Sequence, residues 1–281
     1  MPENCFRGKR IIICGHRGEM TCHPENTMAA FQAAVGYGVD MIETDMHMTK
    51  DKVIVLRHDM VIPGAGRVCD HTYDELLKVK PDLPTLEEFL EFMMKHPDVA
   101  LNMEFKDIPE PADRPVQKVD SGTDAVPEEL AYECQDMAIE MLKAAGVASR
   151  TWINSFSGRL VERVYLKEGR SFHYHGFYPW FIMGEMSVDP ESFVDVACMQ
   201  HRYRDEAGNI IKYDDPLCPG DWWEYVASKG ICPLAAPSLK TYENFDAAFR
   251  FGARMVNAND PKGMIGHLRS LAEKEKGSGQ R

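Results

Sequence analysis

Seven side chains with acid–base, metal-binding or phosphate-binding chemistry lie in three short stretches of this sequence. They are His16 and Arg17, then Glu43, Asp45 and His58, then Glu104 and Lys106. A phosphodiester carries a full negative charge and a poor alkoxide leaving group. Its hydrolysis therefore needs a cation at the phosphoryl oxygens, a base for the nucleophile and an acid for the leaving oxygen. The seven side chains together predict metal-assisted attack on a phosphodiester.

Each residue type fits one part of that reaction. Calcium and magnesium take oxygen ligands, so the three carboxylates could hold one divalent cation. Arg17, as a planar fork, and Lys106, as a point charge, could neutralise the phosphate. His16 and His58 have unperturbed pKa values near neutrality, which suits proton transfer in both directions.

Short apolar runs alternate with helical segments along the chain, a pattern typical of a βα fold. The strand-like runs are 10–15, 40–48, 53–58, 99–105, 151–156, 172–178, 193–199, 231–236 and 254–258. These are nine strands, one more than an eight-stranded barrel uses. If 53–58 is the outer arm of a hairpin, eight remain. We therefore predict an α/β protein, a (β/α)8 TIM barrel with an extra β-hairpin after strand 2.

The predicted strands place the reactive residues at their ends. The first strand ends at His16, and alternation along 40–48 puts Glu43 and Asp45 on one face. Glu104 and Lys106 share a face in the same way. We therefore expect the three stretches to form one site.

The break at 49–52 is too short for the crossover that a parallel strand pair needs, so an antiparallel hairpin is expected. With its turn centred near Asp51, residues whose numbers sum to about 103 face each other. This register predicts that His58 lies opposite Asp45.

Two helix starts are recognisable. Asn26 or Thr27 could cap a helix beginning at Met28, and Asn26 could instead orient the site. Thr85 and Glu88 form a capping-box pattern.

Composition limits the partners and the compartment. The formal net charge of −12 disfavours nucleic acid, which is bound mainly through cationic contacts with phosphates. We find no secretion signal and no run long and apolar enough for a membrane span, and we expect a cytoplasmic protein. The eight cysteines have no metal-ligand spacing and are interpreted as reduced.

The 281 residues contain no linker-like break, so we predict a single domain over 1–281, with the last eight or so residues disordered. Two connections are long. The first, 107–128, could close over the site as a lid, and the second, 178–188, carries aromatic residues that could hold substrate. Both could equally serve only to cover the barrel rim.

Five ordered motifs closely resemble the glycerophosphodiester phosphodiesterase family. They are Gly15-His16-Arg17-Gly18, Pro24-Glu25-Asn26-Thr27, Ile42-Glu43-Thr44-Asp45, Thr49-Lys50-Asp51 with His58-Asp59, and Asn102-Met103-Glu104-Phe105-Lys106. The match is dense over 11–106, and the ordered set is far more specific than any single motif.

The resemblance implies a (β/α)8 barrel whose site lies at the carboxyl ends of the strands. It implies that Glu43, Asp45 and Glu104 hold one divalent cation, Mg²⁺ or Ca²⁺. It further implies that His16 and His58 are the acid–base pair and that Arg17 and Lys106 bind the phosphate. The implied reaction is hydrolysis of a small-molecule glycerophosphodiester to an alcohol and glycerol 3-phosphate, through either water or a substrate hydroxyl as the nucleophile.

The C-terminal third departs from the family pattern. The usual Trp-Thr pair is missing from 231–237, and 257–261 only echoes the usual Thr-Asp. Two other readings therefore stay open. The same machinery could act on a lipid, as a lysophospholipase D or a sphingomyelinase-D-like enzyme, or the barrel could bind a phosphodiester without cleaving it.

Overall fold

Eight parallel strands form the centre of the protein and close into a barrel in this computed structural model. The structure describes residues 5–6, 9–110, 125–200, 202–204, 210–212 and 217–278. The strands of the main sheet are β1 Ile12–His16, β2 Met41–Met48, β3 Ile54–Leu56, β4 Ala100–Phe105, β5 Thr151–Asn154, β6 His173–Tyr178, β7 Val196–Met199, β8 Cys232–Ala235 and β9 Met255–Ala258. Barrel closure comes from β1, which pairs in parallel with both β2 and β9. The predicted (β/α)8 barrel with an extra hairpin arm, β3, is confirmed.

Helices surround the barrel. They are α1 Met28–Tyr37, α2 Tyr73–Leu77, α3 Leu86–Met93, α4 Glu128–Ala144, α5 Gly158–Glu168, α6 Gly220–Ser228, α7 Tyr242–Arg250 and α8 Pro261–Ser278. The connection from β6 to β7 contains two short 3-10 turns, Trp180–Met183 and Pro190–Ser192, in place of a helix. Within the described part of the chain, no helix has the length and apolar character that crossing a membrane requires.

The hairpin after β2 differs by one residue from the predicted register. Met46 pairs with Leu56 and Met48 with Ile54, so facing residues sum to 102. The Arg57 N–H donates to the Asp45 carbonyl at 2.9 Å. The prediction that His58 lies opposite Asp45 is therefore wrong, because Arg57 occupies that position and His58 follows it.

The turn explains this register. The Thr49 N–H donates to the Val53 carbonyl at 2.9 Å, which makes these two residues a facing pair. Three residues lie between them, and the last, Lys52, takes the left-handed conformation with φ 66°. A turn centred on Asp51 therefore gives facing residues whose numbers sum to 102.

The two predicted helix starts are present. Thr27 is the residue that caps α1, since its side chain accepts from the Ala30 N–H. This leaves the Asn26 side chain for the site. Thr85 and Glu88 form the predicted capping box at the start of α3.

The long connections can be followed only in part. Residues 111–124 of the first connection lie outside the described residues, but its two ends are side by side, with Ile108–Pro109 pairing in parallel with Ala125–Val126. The lid therefore stays a prediction. Helix α8 extends to Ser278, beyond the point where the sequence predicts fraying, and disorder of the last residues in solution stays a prediction.

Candidate active site

The carboxyl ends of β1, β2 and β4 bring the three carboxylates together. His16 pairs in register with Glu43 across β1 and β2, and Asp45 pairs with Glu104 across β2 and β4. Residues paired in a parallel sheet project to the same face, so these side chains all point into the mouth of the barrel. One ligand atom each from Glu43, Asp45 and Glu104 lies within 4.8 Å of the others. The structure thus assembles the predicted carboxylate set.

Burial makes this cluster electrostatically costly. Glu43 is 1% exposed and Asp45 is fully buried. Burial, and then the charges of Asp45 and Glu104, raise the pKa of Glu43 well above its usual value. Burial is also the main cause of the raised pKa of Glu104. Three buried carboxyl groups at this spacing repel one another unless protons or a cation neutralise them.

Asp45 behaves differently because cations surround it. Burial alone would raise its pKa, but the charges of Arg17, His58 and Lys106 hold the pKa of Asp45 below its usual value. Its Oδ2 accepts from the Asn26 amide at 2.8 Å. Its Oδ1 is buried without a hydrogen-bond partner among the described residues. An ionised carboxylate with an unused oxygen, beside two further carboxyl groups, fits a hard divalent cation.

Arg17 is held against the carboxylates from both its backbone and its side chain. Its backbone N–H donates to Glu43 Oε2 at 2.9 Å, and its Nη1 donates to Glu25 Oε2 at 2.8 Å. Its Nε lies 3.4 Å from Asp45 Oδ2. Burial would lower the pKa of Arg17, yet the carboxylates of Asp45, Glu43 and Glu25 raise it. The guanidinium is therefore a fixed cation at the edge of the cluster.

Lys106 supplies a second cation beside the cluster. Its Nζ donates to Glu104 Oε1 at 2.9 Å and lies 3.8 Å from Asp45 Oδ1. The Nζ lies over the ring of Phe156, 6.0 Å from its centroid. Lys106 is thus placed beside the carboxylates, and its predicted contact with phosphate stays a prediction.

His16 is oriented by a residue from the last strand's end. Its Nδ1 donates to Asn259 Oδ1 at 2.6 Å, because an amide oxygen only accepts. This leaves Nε2 facing the cluster, 3.9 Å from Glu43 Oε2. Burial, and then the charge of Arg17, lower the pKa of His16 to about 4. At neutral pH the ring is uncharged and can accept a proton at Nε2.

His58 approaches from the end of the hairpin. Its Nδ1 lies 2.8 Å from Asp59 Oδ1, and its side chain is 20% exposed. Its charge helps to lower the pKa of Asp45, which places it near the carboxylate cluster. His16 lies next to Glu43 and the charge of His58 acts on Asp45, while the roles of both histidines stay predictions.

Two contributors were missed by reasoning from the sequence. Asn259 follows β9 directly, within the stretch 257–261 that echoes the family's Thr-Asp, but nothing in the sequence indicated its contact with His16. Asp107 follows Lys106 and accepts a hydrogen bond from His47 at 2.6 Å. Asn26, which the sequence left between two roles, bonds Asp45 and also accepts from the Thr44 hydroxyl at 2.7 Å.

The sequence of this chain matches a known family. The model of the glycerophosphoryl diester phosphodiesterase family matches residues 16–163, more than half of the chain. The chain belongs to that family, as the sequence motifs predicted.

Individual relatives agree with this assignment. A glycerophosphodiester phosphodiesterase from Caldanaerobacter subterraneus is 34% identical over 112 residues, which are 34% of this chain and 46% of the relative. The matches to such curated relatives thus span less than half of their length. A glycerophosphodiester phosphodiesterase structure from Parabacteroides distasonis superposes with a TM-score of 0.70 at 20% identity, covering 92% of this chain and 97% of that one.

A second solved structure carries a bound product. It is an Oleispira antarctica phosphodiesterase in complex with sn-glycerol-3-phosphate, with a TM-score of 0.64 at 15% identity, covering 91% of this chain and 96% of that one. At these identities, both structural likenesses show the shared fold.

Proposed function

We propose that this protein is a metal-dependent glycerophosphodiester phosphodiesterase, which hydrolyses a glycerophosphodiester to an alcohol and glycerol 3-phosphate. The observation that carries the proposal is the convergence of Glu43, Asp45 and Glu104 within 4.8 Å, with histidines and cationic side chains around them. Family membership supports it, and so does the glycerol 3-phosphate bound to the Oleispira relative.

In this proposal the three carboxylates hold one divalent cation, Mg²⁺ or Ca²⁺. Such an ion, when bound, polarises phosphoryl oxygens and stabilises the charge that develops on them. Arg17 and Lys106 lie next to the carboxylates and bind the remaining phosphoryl oxygens. This local positive charge attracts the diester despite the net charge of −12, because salt screens distant charges beyond about 8–10 Å.

The histidines divide the proton transfers between them. The donation from Nδ1 to Asn259 keeps the Nε2 of His16 free to take the proton of the nucleophile. Asp59 holds His58 through Nδ1 in the same way, and His58 then protonates the leaving oxygen. The nucleophile is either water or a hydroxyl of the substrate's glycerol.

Release of glycerol 3-phosphate from glycerophosphocholine tests the proposed function. With Mg²⁺ or Ca²⁺ present, the wild-type protein should form product, and His16→Ala should lose at least roughly 100-fold in rate. Full activity in excess chelator would overturn the metal assignment. Tight binding of several glycerophosphodiesters without any product would favour a barrel that binds and does not cleave.

A lysophospholipid is a second candidate substrate. Phe156 and Phe177 stack with their ring centroids 3.7 Å apart, and the Lys106 Nζ lies over the Phe156 ring. This aromatic wall next to a proposed phosphate contact suits an apolar group on the substrate. Faster turnover of lysophosphatidylcholine than of glycerophosphocholine would favour this lysophospholipase D activity.

A further inference from the structure

We propose that a buried pair, His47 and Asp107, positions His58 for proton transfer. The inference rests on the proposed function, in which His58 is one of the two acid–base residues. Neither His47 nor Asp107 reaches the reacting atoms in this account, so both are positioning residues. They act through the backbone of His58.

His58 needs support from outside its own strand. Strand β3 ends at Leu56, and the Arg57 N–H to Asp45 carbonyl bond is one residue short of His58. The His47 ring lies beneath this point, fully buried on β2. Its Nε2 donates to the His58 carbonyl oxygen at 3.2 Å. A side chain thereby holds His58 where strand pairing ends.

Asp107 fixes the His47 ring from the other side. The Nδ1 of His47 donates to Asp107 Oδ1 at 2.6 Å. A carboxylate and a carbonyl oxygen only accept, so both ring nitrogens carry a proton and the imidazolium is paired with the Asp107 carboxylate. The ring cannot rotate without breaking one of these bonds. Such hydrogen bonds from a second layer of residues commonly set the orientation of catalytic groups.

Asp107 is itself firmly anchored. It is 2% exposed, and its Oδ2 accepts from the Met48 N–H of β2 at 2.9 Å. The charge of Asp107 contributes, after burial, to raising the pKa of the buried Cys134 thiol, so α4 packs near it. The pair therefore connects the end of β4 and the hairpin to the backbone of His58.

Two amide variants, each with a nitrogen near one ring nitrogen of His47, separate its two bonds. His47→Gln places an amide nitrogen near the position of Nε2 and keeps the bond to the His58 carbonyl. His47→Asn places it near Nδ1, keeps the bond to Asp107 and loses the one to His58. We expect His47→Asn to lower kcat roughly 10–100-fold on glycerophosphocholine, with KM changed less than about twofold, and His47→Gln to lose clearly less.

A matched control is available at a distance from the site. His267 of α8 bonds Asp246 of α7 at 2.7 Å, which gives a second His–Asp pair. His267→Gln should leave kcat unchanged. Melting temperatures of all variants are compared, and if His47→Asn does not fold, Asp107→Asn takes its place with the same expected loss of kcat.

A double-mutant cycle shows whether the pair acts through His58. In a His58→Ala background, His47→Asn should cause no further loss, since residues that act as a unit are strongly non-additive. The same fractional loss in both backgrounds, or a wild-type kcat for His47→Asn, would overturn this inference while leaving the proposed function intact. Failure of the wild-type protein to cleave any glycerophosphodiester would instead overturn the proposed function, and this inference with it.

Discussion

Asn259 accepts a hydrogen bond from His16 and decides which ring nitrogen faces the carboxylate cluster. The sequence offered the acid–base pair and the three carboxylates, because their types and order are informative. It did not offer this contact, since Asn259 and His16 are 243 residues apart and meet only when β9 pairs with β1 and closes the barrel.

The pH dependence of the reaction should reveal the Asn259 contact. Burial, and then Arg17, lower the pKa of His16 to about 4. Asn259→Asp puts a carboxylate against the ring, which favours the protonated form and raises this pKa. Because the proposed base must be neutral, the acid limb of kcat/KM should move to higher pH. Gln32→Glu, at an exposed position of α1, is the control for an added negative charge. Identical pH profiles of kcat/KM for Asn259→Asp and wild type would contradict the assignment of His16 as the base.

The carboxylates make a second prediction, for stability. The pKa values of Glu43 and Glu104 are raised in the folded, cation-free protein, mainly by burial. The protonated forms of these two residues stabilise the fold. This stabilisation is fully present below about pH 4.3, the pKa of Glu in the unfolded chain, and is lost as the pH rises through their pKa in the folded protein. Added Mg²⁺ or Ca²⁺ replaces the lost protons, so it should raise the melting temperature more at pH 8 than at pH 5. Glu43→Gln should reduce this rise in melting temperature. An equal rise at pH 5 and pH 8, or no rise at either, would contradict the proposed cation site.

At the scale of elements, periodicity located all nine strands of the main sheet to within three residues at each end. The hairpin register could not be read as reliably, because it depends on Lys52 adopting a left-handed conformation that its residue type does not signal. The same limit applies to Asp107, whose hydrogen-bond partners, His47 and Met48, both come from β2.

The turn after β1 also depends on a backbone conformation. Gly18 has φ 84°, and a Cβ atom there would lie 2.7 Å from the Ala30 carbonyl carbon in α1. Gly18→Ala should therefore lower the free energy of unfolding by at least about 1–3 kcal/mol through backbone strain, before the clash is counted. Gly36→Ala is the matched control, since nothing lies within 4 Å of its Cβ position, and this exposed helical site should gain about 0.5–1 kcal/mol. Chemical denaturation measures both, and equal effects would contradict the close approach of β1 and α1.

At the scale of the whole molecule, we propose that the chain is one domain. One hydrophobic cluster includes residues from Ile11 to Leu268 and packs the barrel against its helices. Heating should therefore give one cooperative transition, with the same midpoint by far-UV circular dichroism and by tryptophan fluorescence. Two separated transitions would contradict this proposal.

The cation dependence of product release tests the central claim most directly. Glycerol 3-phosphate release from glycerophosphocholine is followed while Mg²⁺ or Ca²⁺ is titrated into chelated wild-type protein and into Glu43→Gln. Glutamine keeps an oxygen that can accept from the Arg17 N–H but loses the charge, so the fold should be retained. We expect saturable activation of the wild type, and a need for at least roughly 10-fold more cation in the variant. A wild-type rate that does not change with cation concentration would contradict metal-dependent phosphodiester hydrolysis at this site. So would a Glu43→Gln variant with the same cation titration curve as wild type.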